Sequence, residues 1–223
     1  MTKKVPAHMG GADTPWPMPT VLVGANMDGR PTFMTAAWVA FTTMKPTLLS
    51  VCLVNRHYTL KGIKQNMTFS VNTPSLDQIA ETDFCGITSG NRGVDKVKSC
   101  GFKVFYGKLG NAPLIEQCPA GIECRVVHLL ELGDCTMVIG SIEDTHVDED
   151  CVTDGRLDAS KLRPFLYVTG PGQLQRYYDL GEVVGKCFRV GREIAKKMVV
   201  PVEEWVDEYE ATGAAEEAFL RPP

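Results

Sequence analysis

The sequence predicts a mainly β protein, a closed antiparallel barrel decorated by short helices. Three observations carry this. Apolar segments of strand length recur between Val21 and Thr169. Asp28-Gly29 and Gly133-Asp134 sit between successive segments as hairpin turns. Helical periodicity is confined to short stretches.

The elements follow in order. Residues 1–18 hold three prolines and Gly10-Gly11-Ala12, which reads as a loose arm able to drape over a neighbour. Val21 to Ala25 is a short apolar strand, and Thr32 to Thr43 a second one rich in Ala and Thr. Pro46 ends it. Leu48 to Val54 is so continuously apolar that it predicts a buried strand. Asn55-Arg56-His57-Tyr58 is a tight polar turn. Thr59 stands where a helix can begin, ahead of Leu60 and Ile63, and Phe69 to Asn72 is the next strand. Ser75-Leu76-Asp77-Gln78 is a capping box opening a helix with Leu76, Ile79 and Ala80 on one face. A flexible loop, Thr88 to Gly93, precedes a short helix from Val94 to Ser99 and a brief strand from Phe102 to Tyr106. Ile122 to Leu132 and Cys135 to His146 are two longer strands. Asp148 to Lys161, dense in charge, reads as an exposed loop, and Phe165 to Thr169 as the last barrel strand. Pro201 to Ala211 carries Pro and Glu in its first turn, with Val202, Trp205, Val206 and Tyr209 on one stripe: a C-terminal helix.

Composition excludes several functions. The chain has 223 residues, 44% of them apolar, with 23 Lys+Arg against 27 Asp+Glu and a net charge of −4. That balance argues against a nucleic-acid footprint and a polybasic membrane patch. No apolar run reaches the roughly 18 residues of a membrane helix. The first residues lack the apolar core of a secretory signal, so a cytoplasmic protein is expected. Eight cysteines occur without a C-x-x-C pair, which fits structural free thiols in a reducing compartment, with a thiol redox module as the alternative, and weakens zinc and thioredoxin-like readings. No G-x-G-x-x-G is present. Gly181 to Lys186 falls one residue short of a phosphate loop. His8 and His146 have no carboxylate or cysteine cluster at metal-ligand spacing along the chain, so no metal site is expected.

The residues with chemical potential cluster between Thr32 and Asn72. A helix start at Thr59 offers unpaired N–H groups and a positive dipole end, and Arg56 beside it makes phosphate the favoured anion. A bare Arg56-His57 pair also reads as a solvated turn. Ala36-Ala37-Trp38 would let a flat ligand approach the backbone, although Trp38 reads equally as core. Phe165 and Tyr167 are further aromatic candidates, one expected to face inward and the other outward. Lys96 reads alone as a surface helix charge.

The ordered set Thr35-Ala36-Ala37-Trp38, Asn55-Arg56-His57-Tyr58-Thr59, Phe69-Ser70-Val71-Asn72, Ser89-Gly90, Asp95-Lys96, Cys118 to Cys124 and Gly133-Asp134 resembles the flavin reductase-like, FMN-binding split-barrel family, and within it the flavoredoxins. The resemblance runs from Pro19 to about Arg192, leaving 193–223 as a helical tail. It implies a Greek-key split β-barrel that binds FMN as a homodimer. In such a protein Asn55, Arg56, His57, Tyr58 and Thr59 would lie at the FMN phosphate. Thr35, Ala36, Ala37, Trp38, Phe165 and Tyr167 would lie along the isoalloxazine ring, with Ser89 and Lys96 at its other edge. Cys135 stands where many relatives have His, which places a thiol near the ring. The implied function is electron transfer through tightly bound FMN, with redox proteins or NAD(P)H as partners. An NAD(P)H-dependent flavin reductase and a non-redox FMN-binding module are the alternatives.

Overall fold

In the computed structural model, residues 16–169, 175–187, 189–199 and 201–203 are described. The chain divides after Leu180 into two units. The first opens with β1 (Met18–Pro19), β2 (Val21–Met27), β3 (Arg30–Ala36), β4 (Val39–Met44), β5 (Thr47–Val54), α1 (Tyr58–Asn66) and β6 (Thr68–Thr73). A 3-10 turn then leads into α2 (Ile79–Ile87) and α3 (Lys96–Cys100), followed by β7 (Val104–Tyr106), β8 (Pro113–Ile115), β9 (Ala120–Leu132) and β10 (Cys135–Val147). β11 (Val152–Thr153), β12 (Arg156–Leu157), α4 (Ala159–Leu162), β13 (Phe165–Val168) and β14 (Arg176–Asp179) complete it, and the second unit contains α5 (Arg192–Met198).

The main sheet is antiparallel throughout, in the order β3-β2-β6-β9-β10-β5-β4. The expected barrel is therefore present in split form, with β3 and β4 as unjoined edges. The single strand expected over 32–43 is two strands. The chain leaves the β2 edge after Ala36 and joins β5 on the opposite edge at Val39. Ala37 and Trp38 make this crossing, anchored where the Cys52 N–H donates to the Trp38 carbonyl at 2.9 Å. The turn between β2 and β3 needs positive φ at both central residues, 50° at Asp28 and 74° at Gly29, which is why Asp-Gly stands there.

Inside the sheet, Val23, Val51, Leu53, Phe69 and Val138 pack with Leu60 and Ile63 of α1. β5 alternates buried and half-buried residues, so its continuous apolar run faces the core on one side only. The capping box at Ser75 and Gln78 forms as read. A second apolar cluster joins Leu22 and Phe33 to Cys85, Phe102, Ile115 and Cys118 under α2 and α3.

Two expectations are corrected. The segment 148–161 is largely exposed, as expected, but it is not an irregular loop: it contains a 3-10 turn, the β11–β12 hairpin and the start of α4, pinned by buried Cys151 and Leu162 against Ala120. Phe165 and Tyr167 do not face opposite ways. Residues two apart on a strand share a face, and both rings pack on Tyr177, with centroids at 5.2 and 6.5 Å. The helix expected over 201–211 lies almost wholly outside the described residues, and 201–203 are irregular.

One buried polar group organises the far side of the sheet. Glu123 is fully buried on β9, and its carboxylate accepts the N–H groups of Lys108 at 2.9 Å and Leu109 at 2.7 Å. Oε1 also lies 2.8 Å from His146 Nε2 on β10. With Asp144 these two form the kind of compact acid–histidine group that chain spacing hides, because its members sit on neighbouring strands. Both carboxylate oxygens are already engaged in holding the 107–110 turn, so the group acts as an anchor.

Candidate functional site

The site is built around the start of α1. The His57 N–H donates to the Val54 carbonyl at 2.9 Å, closing the Asn55-Arg56 turn directly after β5. His57 is the N-cap, so the helix begins earlier than the Thr59 start read from the sequence, and Thr59 is its second residue. The His57 side chain makes no capping hydrogen bond and the first turn has no acidic residue. The leading N–H groups therefore lack both helical acceptors and a side-chain cap, and the positive dipole end is unopposed. Gly62 allows this placement: a Cβ there would run into the Asn26 backbone of β2.

The 88–94 segment arches over that helix start. Asn91 clamps it, donating from Nδ2 to the Arg56 carbonyl at 2.8 Å and accepting from Lys61 Nζ at 2.7 Å. Gly90 lies flat on the Tyr58 ring, where any Cβ would collide. Between the two segments lies a cavity of about 500 Å³ whose lining includes Arg56, Arg92 and Lys96 but, among the described residues, no Asp or Glu. Among the described residues neither arginine has an ion-pair partner.

Lys96 is not the solvated helix charge its residue type suggests. It is 5% exposed, and Nζ donates to the Cys85 carbonyl at 2.6 Å. Burial holds its pKa below the ordinary lysine value, while the Cys85 and Cys100 thiols pull it upward. His57 is held below its usual 6.5, first by burial and then by the Arg56 and Lys96 charges. Its Nδ1 is buried without a hydrogen-bond partner.

A pH dependence follows. In the unfolded chain His57 takes up a proton near pH about 6.5, whereas in the fold it does so only at lower pH. Its contribution to stability is thus complete above that pH and is lost as pH falls through the folded value. His57→Gln should flatten part of the acid loss: urea midpoints measured between pH about 7 and 5 should fall less steeply in the variant than in wild type. Parallel curves would remove the assignment.

A second, mostly apolar cavity of about 200 Å³ adjoins the first, and Met34, Thr35 and His57 line both. Ala36, Ala37, Trp38, Cys52 and Tyr167 complete much of its wall. Trp38 is 42% exposed, so it belongs to this opening and not to the barrel core. Thr35 is fixed from behind, its hydroxyl donating to the Thr82 carbonyl.

The fold thus brings Thr35, Arg56, His57, Tyr58, Thr59, Ser89 and Lys96 to the basic cavity, and Thr35, Ala36, Ala37, Trp38, His57 and Tyr167 to the apolar one. Asn55, Cys135 and Phe165 lie outside both. Asn55 ties the β9–β10 turn, donating to the Gly133 carbonyl at 3.0 Å and accepting from Thr136 at 2.6 Å. Cys135 is buried, and burial with the adjacent Asp134 carboxylate pushes its thiol up to about 11. Phe165 is buried beneath Tyr177. Sequence reading missed Arg92, Asn91, Cys85 and Cys52. None carries a local signature; the Gly90-Tyr58 contact that brings the loop over α1 is a tertiary one.

A basic, acid-free chamber opening into a flat apolar slot suits a ligand with an anionic tail and a planar ring. The profile of the flavin reductase-like domain matches residues 14–170. The flavoredoxin structure from Methanosarcina acetivorans is similar with 35% identity and a TM-score of 0.79, covering 86% of this chain and 100% of that one. Flavoredoxin of Desulfovibrio vulgaris (Miyazaki F) is similar at 33% identity and a TM-score of 0.75, with the same coverage. An uncharacterized protein of Archaeoglobus fulgidus is 32% identical over 144 residues, 64% of this chain and 79% of its own length.

Proposed function

This chain belongs to the flavin reductase-like domain family, and from that membership we propose that it is an FMN-binding redox protein carrying electrons through a tightly held cofactor. The observation that carries the reading is the uncapped start of α1 beneath Arg56, opening onto the apolar slot at Trp38. Arg56, Thr59 and the free N–H groups of α1 would hold the phosphate. His57 Nδ1, buried without a partner, is a further polar atom available to the ligand. Thr35, Ala36, Ala37, Trp38 and Tyr167 would line the ring, with Ser89 and Lys96 at the other edge. When bound, FMN supplies one- and two-electron redox chemistry; the protein supplies orientation and electrostatics.

Lys96 has a definable part in this. A buried ammonium in the cavity favours added negative charge on a bound ring and so raises the potential. A charge pair about 4 Å apart is worth at most about 4 kcal/mol at an effective dielectric of 20. A one-electron couple moves about 59 mV per 1.4 kcal/mol. We expect Lys96→Ala to lower the FMN potential by tens of millivolts with FMN still bound. A spectroelectrochemical shift under about 10 mV would place Lys96 away from the ring.

The exposed edge strand β4 supports a homodimer. Phe41 and Met44 are 71% and 52% exposed there, next to Trp38. A second copy over this edge would cover them and close the apolar slot. Light scattering at micromolar concentration should give twice the chain mass; a monomer that retains FMN would contradict the dimer. Eight free cysteines suit a reducing cytoplasm.

The carrier reading is tested by stopped-flow reduction of the purified protein with NADH, NADPH and reduced ferredoxin in turn. A carrier is expected to be reduced by the protein donor, with little NAD(P)H turnover when free flavin is added. Sustained NAD(P)H oxidation with free flavin would make the protein a flavin reductase instead.

A further inference from the structure

Beneath the basic cavity two thiols face each other. Cys85 on α2 and Cys100, the last residue of α3, have their sulfurs 4.0 Å apart. Cys85 lines the cavity wall and is otherwise buried, whereas Cys100 is half-buried. Lys96 belongs to the same group, since its ammonium is bonded to the Cys85 carbonyl and acts on both sulfurs. A disulfide requires the sulfurs to close to about 2.05 Å. The two sulfurs stand about 2 Å short of bonding distance. Buried cysteines commonly serve as small apolar packing. Packing alone calls for neither a sulfur partner nor a place on the wall of a cofactor-sized cavity beside a buried ammonium.

We propose that Cys85 and Cys100 are a redox-active dithiol that exchanges two electrons with the flavin, whose ring edge at Lys96 would border this cavity, so that one chain stores two electron pairs. This rests on the FMN reading above. In the oxidising direction the two S–H bonds break and one S–S bond forms. Two electrons and one proton pass to the oxidised flavin, and the second proton leaves to solvent. The reverse reaction breaks the S–S bond and restores both thiols. Burial raises both thiol pKa values, Cys85 to about 12, and the Lys96 charge works against that rise. The resting pair is therefore protonated, and its ionised form has an ammonium beside it during exchange.

The test uses the full-length, FMN-loaded protein. One portion is treated with the thiol oxidant diamide, freed of reagent, and mapped by mass spectrometry of its peptides. A Cys85–Cys100 bridge is expected. Both portions are then titrated anaerobically with dithionite. The oxidised portion should take up four electrons per chain and the untreated portion two. Cys100→Ser should hold FMN and take up two electrons with or without diamide. Uptake of only two electrons by diamide-treated wild type with FMN present would overturn the proposal, as would a bridge between other cysteines in place of this pair. Failure of the FMN reading is separately visible, as a chain without bound-flavin absorbance, and it removes the flavin partner from this proposal.

Discussion

Arg56→Ala should weaken FMN binding by about 1.5–3 kcal/mol, the range for hydrogen bonds to charged groups, or roughly 10- to 150-fold in Kd. Among the described residues the guanidinium lines a chamber with no acidic side chain, and no described ion pair competes for it. It stands at a helix start without a side-chain cap, so a phosphate there meets the Arg56 fork and the free N–H groups together. Arg56 is exposed and its backbone is held independently by Asn91, so removing the side chain should leave the fold intact. Arg56→Lys should recover only part of the loss, because a point charge does not reproduce the bidentate fork. Isothermal titration of apoprotein with FMN measures all three. Unchanged affinity in Arg56→Ala would take the phosphate away from this turn.

The largest expected effect on stability lies at Glu123 on β9, outside the candidate site. Glu123→Ala should destabilise the fold by about 3–5 kcal/mol, as breaking a buried charged network does. It strips the acceptors from the Lys108 and Leu109 N–H groups and from His146 at once. At roughly 2–4 °C per kcal/mol for a chain of this size, the smallest expected loss lowers Tm by about 6–12 °C. Glu123→Gln keeps acceptor capacity and should lose less. A change under about 1 kcal/mol for Glu123→Ala, measured in urea, would mean that water replaces the carboxylate without cost.

Local signals were readable where they depend on near neighbours. Asp28-Gly29 announced its turn because both residues tolerate positive φ, and Ser75-Gln78 announced its cap because the two side chains answer each other within one turn. Arg56 and Thr59 are legible because a polar turn running into Leu60 and Ile63 already implies a helix start. What escaped was tertiary. The break at Ala37-Trp38 follows from the chain crossing between two sheet edges, and no breaker residue marks it. Glu123 and His146 stand 23 positions apart, and their pairing depends on the β9–β10 register. Arg92 reaches the cavity because Gly90 lets the loop lie on Tyr58, and Cys85 because α2 packs on β3, where the Thr35 hydroxyl bonds the Thr82 carbonyl. Lys96 looked like surface because lysine usually is. Its burial comes from α3 packing against the Cys85 end of α2.

The central claim is that a phosphate-bearing flavin seats its tail at the start of α1 and its ring in the slot at Trp38. Parallel titrations of the apoprotein with FMN and with riboflavin, which has the ring but no phosphate, test it most directly. The account predicts that FMN binds at least about 10-fold more tightly than riboflavin, and that Arg56→Ala removes most of that difference while leaving riboflavin affinity unchanged. Equal affinity of the wild-type protein for the two flavins would contradict it.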